Sequence, residues 1–107
     1  MNLLQKIQEW FRSDAVLYSR HARIEMKEEE FGRIMEHEVD EAVTTGEVIE
    51  EYPDDTPYPS VLIFGKTRNG RFLHVVCAYN QQDQMAIIVT VYQPNPELWI
   101  EYRRRKP

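Results

Sequence analysis

A single cysteine, Cys77, stands in the whole chain, so no internal disulfide can staple it. Glycine is scarce, at four positions. No phosphate-cradling glycine loop, serine-nucleophile elbow or paired-carboxylate motif is present. No apolar run approaches the ~20 residues that span a bilayer, and the opening Met1-Asn2-Leu3-Leu4-Gln5-Lys6 lacks the apolar core of a secretory leader. These absences exclude a disulfide scaffold and a helical membrane protein, and point to a reducing cytoplasm. Stability must then come from one hydrophobic core. The 107 residues suffice for that, as a single domain over residues 1–107.

Basic residues are also locally scarce. Residues 28–55 carry one basic group, Arg33, against twelve acidic ones; residues 1–27 carry five basic and three acidic, and residues 56–107 seven and three. The net charge of −5 argues against nucleic-acid binding by bulk attraction, yet the two basic flanks can still hold an anionic partner. The acidic middle reads as a solvated helical surface or as the docking face for a basic partner protein. The tail Arg103-Arg104-Arg105-Lys106 reads either as a mobile, solubilising end over 103–107 or as a contact for phosphates or an acidic surface.

What is present is patterned. Leu3, Leu4, Ile7, Trp10 and Phe11 recur at helical spacing, and Ser13-Asp14 ends that helix. Tyr18, Ala22 and Met26 predict a second helix from about Ser19 to Glu30, with Gly32 ending or bending it. Val39, Ala42 and Val43 predict a third, with Gly46 where a C′ glycine would stand. The texture then changes to strands: an edge strand over 47–52, a three-proline loop from Pro53 to Ser60, and a strand over 61–66. An Asn69-Gly70 hairpin signal follows, then strands over 71–79 and 85–92, with Trp99 packing back onto the sheet. The predicted class is α+β: two to three N-terminal helices on one face of a roughly four-stranded antiparallel sheet.

Strand parity places the side chains. In the fourth strand Met85, Ile87, Val89 and Val91 form an apolar face expected under the helices, and Ala86, Ile88, Thr90 and Tyr92 form the other. The strand Phe72-Leu73-His74-Val75-Val76-Cys77-Ala78-Tyr79 is apolar on both faces, as a central strand should be, except for His74. Parity sets His74 beside Thr90 and Tyr92 on a partly open face, provided the register does not slip by one residue.

Several ordered blocks resemble one family. They are Ser19-Arg20-His21-Ala22, Glu47-Val48-Ile49-Glu50-Glu51-Tyr52-Pro53, Pro57-Tyr58-Pro59-Ser60, Leu73-His74-Val75-Val76-Cys77-Ala78, and Ile88-Val89-Thr90-Val91-Tyr92 with Pro94 and Trp99. Over about residues 15–105 the chain is similar to the small bacterial family called domain of unknown function 4258. The resemblance implies a cytoplasmic prokaryotic protein, often encoded beside a YgiT-type (MqsA-like) zinc-finger antitoxin, and a RelE-like ribonuclease architecture of helices followed by an antiparallel sheet. Many members carry arginine four residues after the first histidine. Here that position is Glu25 and the nearby arginine is Arg23.

Metal-free RNA cleavage needs a base for the 2′-hydroxyl, an acid for the leaving oxygen and cations for the phosphate. His21 and His74 are the candidate proton-transfer pair, with Tyr92 beside them; Arg23, Lys66 and Arg71 are the candidate phosphate holders, with Thr90 positioning substrate. The competing reading makes His74 a core histidine bonded to backbone and His21 a local cap. His74 and Cys77 lie three apart on a strand and so point to opposite faces; no metal site and no cofactor is expected. Cys77, mid-strand among apolar residues, reads as packing. The functional expectation is a toxin component of a toxin–antitoxin pair, a metal-independent endoribonuclease with RNA as substrate and a zinc-finger antitoxin as partner. The alternative is a non-catalytic module docking a protein or RNA through its acidic helical surface.

Overall fold

The computed structural model of the protein describes residues 2–107. Three helices, α1 (Leu3–Arg12), α2 (Arg20–Glu28) and α3 (Glu36–Thr44), accompany strands β1 (Val16–Tyr18), β2 (Glu47–Tyr52), β3 (Ser60–Lys66), β4 (Phe72–Asn80) and β5 (Met85–Tyr92). A terminal hairpin pairs β6 (Trp99–Ile100) with β7 (Arg104–Arg105). The five-stranded sheet runs β1-β5-β4-β3-β2, antiparallel throughout except for β1, which lies parallel to β5. The α+β class is as the patterning predicts, with β4 central. The added strand, β1, is three residues long, too short for a period-two pattern to register.

Local chemistry explains the helix ends. Asn2 caps α1: its side chain accepts from the Gln5 N–H at 2.8 Å while the Gln5 side chain accepts from the Asn2 N–H at 3.0 Å. Ser19 caps α2 by accepting from the Ala22 N–H at 3.0 Å. Its own hydroxyl donates to the Val89 carbonyl at 3.2 Å, tying the helix start to β5. Gly46 follows α3 without adopting positive φ. It is needed because a Cβ there would lie 2.6 Å from the Ala42 carbonyl oxygen. At Gly65 the corresponding distance is 1.8 Å, so α3 rests directly on the backbone of β3.

The helices cover one face of the sheet. Ile7, Trp10, Ala22, Met26, Val39, Ala42 and Val43 pack against Val61, Ile63, Leu73, Val75, Cys77, Ala86, Ile88 and Val91. That set corrects the parity reading of β5. Val76 pairs with Thr90 but Cys77 pairs with Ile88, so Val89 is a bulged residue without a partner. Before the bulge Ala86 and Ile88, not Met85 and Ile87, enter the helical core; after it Val91 does. Strict alternation cannot register an inserted residue.

The β6–β7 hairpin covers His74 on the opposite face, which stays partly open beyond it, with Val76, Thr90 and Tyr92 half-buried. Arg103 pairs with Glu47, and Arg105 pairs with Glu50 at 3.0 Å. The guanidinium of Arg103 lies 4.7 Å from the Phe64 ring centroid and that of Arg105 4.7 Å from the Trp99 ring. The acidic middle thus serves in part as counter-charge for the basic flanks, since Glu36, Glu38 and Glu41 also meet Arg23, Arg71 and Arg68.

Candidate functional site

His74 sits beneath the hairpin, fully buried. Its Nε2 is 2.6 Å from the carbonyl oxygen of Tyr102, and its Nδ1 is 3.0 Å from the Tyr92 hydroxyl. A carbonyl oxygen only accepts, so Nε2 carries the proton and Nδ1 accepts from Tyr92. In the neutral imidazole, the form that burial favours, one tautomer is fixed and both nitrogens are committed. Trp99 stands edge-on to it with ring centroids 4.4 Å apart, and Phe64 packs at 5.8 Å. Burial lowers the pKa of His74, a shift only partly offset by the bond to Tyr102 and the charge of Glu50. Burial likewise pushes the Tyr92 phenol up to about 12.

Register sets Tyr92 opposite His74 and Thr90 opposite Val76, so Thr90, Tyr92 and His74 share one face. Beside them, Glu50 accepts hydrogen bonds from Tyr52 and Arg105. Burial pushes the Glu50 carboxyl up, but those two bonds outweigh it and leave its pKa lowered.

His21 lies elsewhere. It projects from α2 with its side chain 67% exposed, and its Nε2 meets Glu25 Oε2 at 3.3 Å, one helical turn on. Helix α2 packs on the sheet face opposite to that of His74, through Ala22 and Met26. The two histidines share no hydrogen-bonding partner. Glu25 also serves the sheet. Its Oε1 accepts from the Val91 N–H at 3.2 Å, and Glu29 accepts from the Gln93 N–H at 2.7 Å. Strand β1 ends at Tyr18, opposite Ile88, so β5 would otherwise present these donors unpaired. Two carboxylates four residues apart at α2 and its C-cap take the place of a strand. Glu25 is thus a sheet-capping residue.

Two of the three candidate phosphate holders, Arg71 and Arg23, are engaged. Arg71 donates through Nε to Gln93 Oε1 at 2.8 Å and through Nη1 to the Arg33 carbonyl at 3.0 Å; Nη2 donates to the Gly32 carbonyl, and Glu38 lies 3.4 Å away. It clamps the loop between α2 and α3 onto the start of β4. Arg23 pairs with Glu36 at 3.0 Å and lies over the Tyr18 ring. Lys66 is exposed, its ammonium 5.6 Å from the Phe72 ring centroid. Cys77 is buried in the helical core, where desolvation pushes its thiol up to about 12. Among the described residues no group of three or more His, Cys, Asp or Glu is placed to hold a metal ion.

Sequence reasoning did not anticipate Tyr102, Glu50 or Arg105 as neighbours of His74, because all three contacts depend on the return of the C-terminal hairpin. It also did not mark the groove between α2 and the following loop, of about 470 Å³ and lined by residues from Arg23 to His37.

A three-helix layer on a mostly antiparallel sheet, with a buried histidine under a terminal hairpin, defines a small α+β protein. The chain belongs to the family described as domain of unknown function (DUF4258), whose model matches residues 18–93. The match ends one residue beyond Tyr92 and leaves α1 and the β6–β7 hairpin outside it. No curated protein and no solved structure matches the chain.

Proposed function

We propose that this chain is the toxin-like member of a toxin–antitoxin pair and that it works by binding a partner protein, without using His21 and His74 as a catalytic couple. The observation that carries this reading is the commitment of His74: it is fully buried, with one nitrogen donating to Tyr102 and the other accepting from Tyr92. A general base needs a lone pair within reach of substrate. The engagement of Arg71 and Arg23 adds support, since phosphate would compete with Glu38, Glu36 and two backbone carbonyls for them. The pairing with an antitoxin rests on what the family resemblance implies.

A second reading is favoured by the His21–Glu25 pair at the open edge of β5. There an exposed imidazole stands one helical turn from the carboxylate that caps the strand bearing Thr90 and Tyr92. In that reading the chain is a metal-independent endoribonuclease of RelE-like architecture in the cytoplasm. The β6–β7 hairpin must then lift to release His74. Induced expression in bacteria, followed by transcript integrity and growth, separates the two. The binding reading expects intact transcripts when purified, folded protein is incubated with RNA. Cleavage abolished by His21→Ala in a protein with an unchanged melting curve would overturn it in favour of the enzyme.

A further inference from the structure

Five large apolar side chains are exposed among the described residues, and three of them, Ile24, Phe31 and Met35, belong to α2 and the loop that follows it. The lining of the groove between these two segments includes exposed Met35, with the buried Met26 and Ile34 at its base. Its rim carries Arg23, Lys27 and Arg33, with Glu36 and His37 at one end. Arg23 is matched by Glu36 at 3.0 Å, whereas Lys27 and Arg33 form no ion pair among the described residues. Two unmatched cations thus flank an apolar floor in a chain whose net charge is −5.

The walls are fixed before any partner arrives. The Ile34 N–H donates to the Met26 carbonyl at 2.9 Å, closing the loop onto the helix. Arg71 holds the carbonyls of Gly32 and Arg33 from the sheet side. A preformed groove avoids the ordering cost that a mobile loop would set against binding.

From this we infer that the groove docks an acidic amphipathic segment of a partner protein, laying apolar side chains at i, i+3 or i+4 spacing on Met35 and the base beneath it, with carboxylates against Lys27 and Arg33. This rests on the binding reading above and names its surface. Methionine suits such a floor because its flexible thioether adapts to the shape it receives. The rim charges select acidic segments, and the remaining negative charge of the chain turns away other anions less well matched. RNA is disfavoured here: the groove lining has no Phe, Tyr or Trp on which bases can stack, and Glu36 stands in the rim.

A random peptide library displayed against the immobilised full chain tests this even while the partner is unidentified. Selected sequences are expected to pair Asp or Glu with helically spaced apolar residues. Their affinity should fall tenfold or more for the double variant Lys27→Glu, Arg33→Glu, whose exposed positions leave the fold intact by thermal melt. Amide shift mapping should centre on residues 26–37. Selection of basic or neutral peptides, no selection at all, or acidic peptides that bind the double variant unchanged would each overturn the groove assignment. Self-association that the same variant abolishes would assign the groove to a second copy and overturn it too. None of these outcomes touches the binding reading itself, which falls only if the purified chain cleaves RNA.

Discussion

The Nε2 of His74 donates to the carbonyl oxygen of Tyr102 across 2.6 Å, linking the central strand to a hairpin 28 residues further along the chain. That bond, with the Tyr92 hydroxyl on Nδ1, converts the most unusual residue of the sequence into the anchor of its C-terminus.

Replacing His74 with alanine should therefore release the hairpin as well as weaken the core. The variant leaves the Tyr102 carbonyl unpaired and a cavity beside Trp99, and should cost about 2–4 kcal/mol in chemical denaturation. Amide exchange at Arg103 and Lys106, which donate to the Ile100 and Leu98 carbonyls, should accelerate well beyond that at Val75. Uniform acceleration across both would refute the anchoring role.

Acid should act through the same residue. Burial lowers the folded-state pKa of His74 below the 6.5 of the free side chain. The unfolded chain then takes up the proton first, so the stability that neutral His74 contributes is complete above 6.5 and is lost as the pH falls from there toward the folded value. Urea midpoints at about pH 7.5 and about pH 5.5 should differ more in the natural chain than in His74→Gln, which does not titrate there. Equal differences would remove His74 as the cause.

Glu25 and Glu29 hold the open edge of β5 through the Val91 and Gln93 amides. Substituting either with alanine should cost about 1–2 kcal/mol and speed hydrogen exchange at its own partner amide. Glu25→Ala that leaves Val91 protected would mean that another acceptor, or water, already serves that edge.

Two glycines should respond differently to alanine. At Gly65 the added Cβ would lie 1.8 Å from the Ala42 carbonyl oxygen, so α3 must move off the sheet, at a cost of about 3 kcal/mol or more. At Gly70, with φ of +85° and its nearest neighbour 3.7 Å away, the cost is the left-handed conformation alone, about 1–2 kcal/mol. A comparison of the two melting curves checks the ranking.

Much of this molecule can be read along the chain. The spacing of Leu3 to Phe11, of Ala22 and Met26, and of Val39 to Val43 marks three helices whose apolar faces are indeed buried. Asn69-Gly70 and the runs on either side mark the β3–β4 hairpin, and Gly70 has the positive φ that such a turn requires. What failed did so for local reasons. Strand β1 spans a single alternation, and the bulge at Val89 inverts the faces of only half a strand. The candidate site fared less evenly. Thr90 and Tyr92 do share a face with His74, but His74 itself is covered there, and Arg71 is occupied in holding a loop.

The α+β class, the central position of β4 and the burial of Cys77 were all legible in the chain, because each follows from periodicity and hydrophobicity within a single segment. Three other features were settled only when the segments came together: a basic tail becomes a hairpin sealing His74, Glu25 and Glu29 replace a strand, and Lys27 and Arg33 border a groove. Each of those depends on which distant charges, carbonyls and rings meet, and a pairing between residues tens of positions apart leaves no periodic trace in the chain.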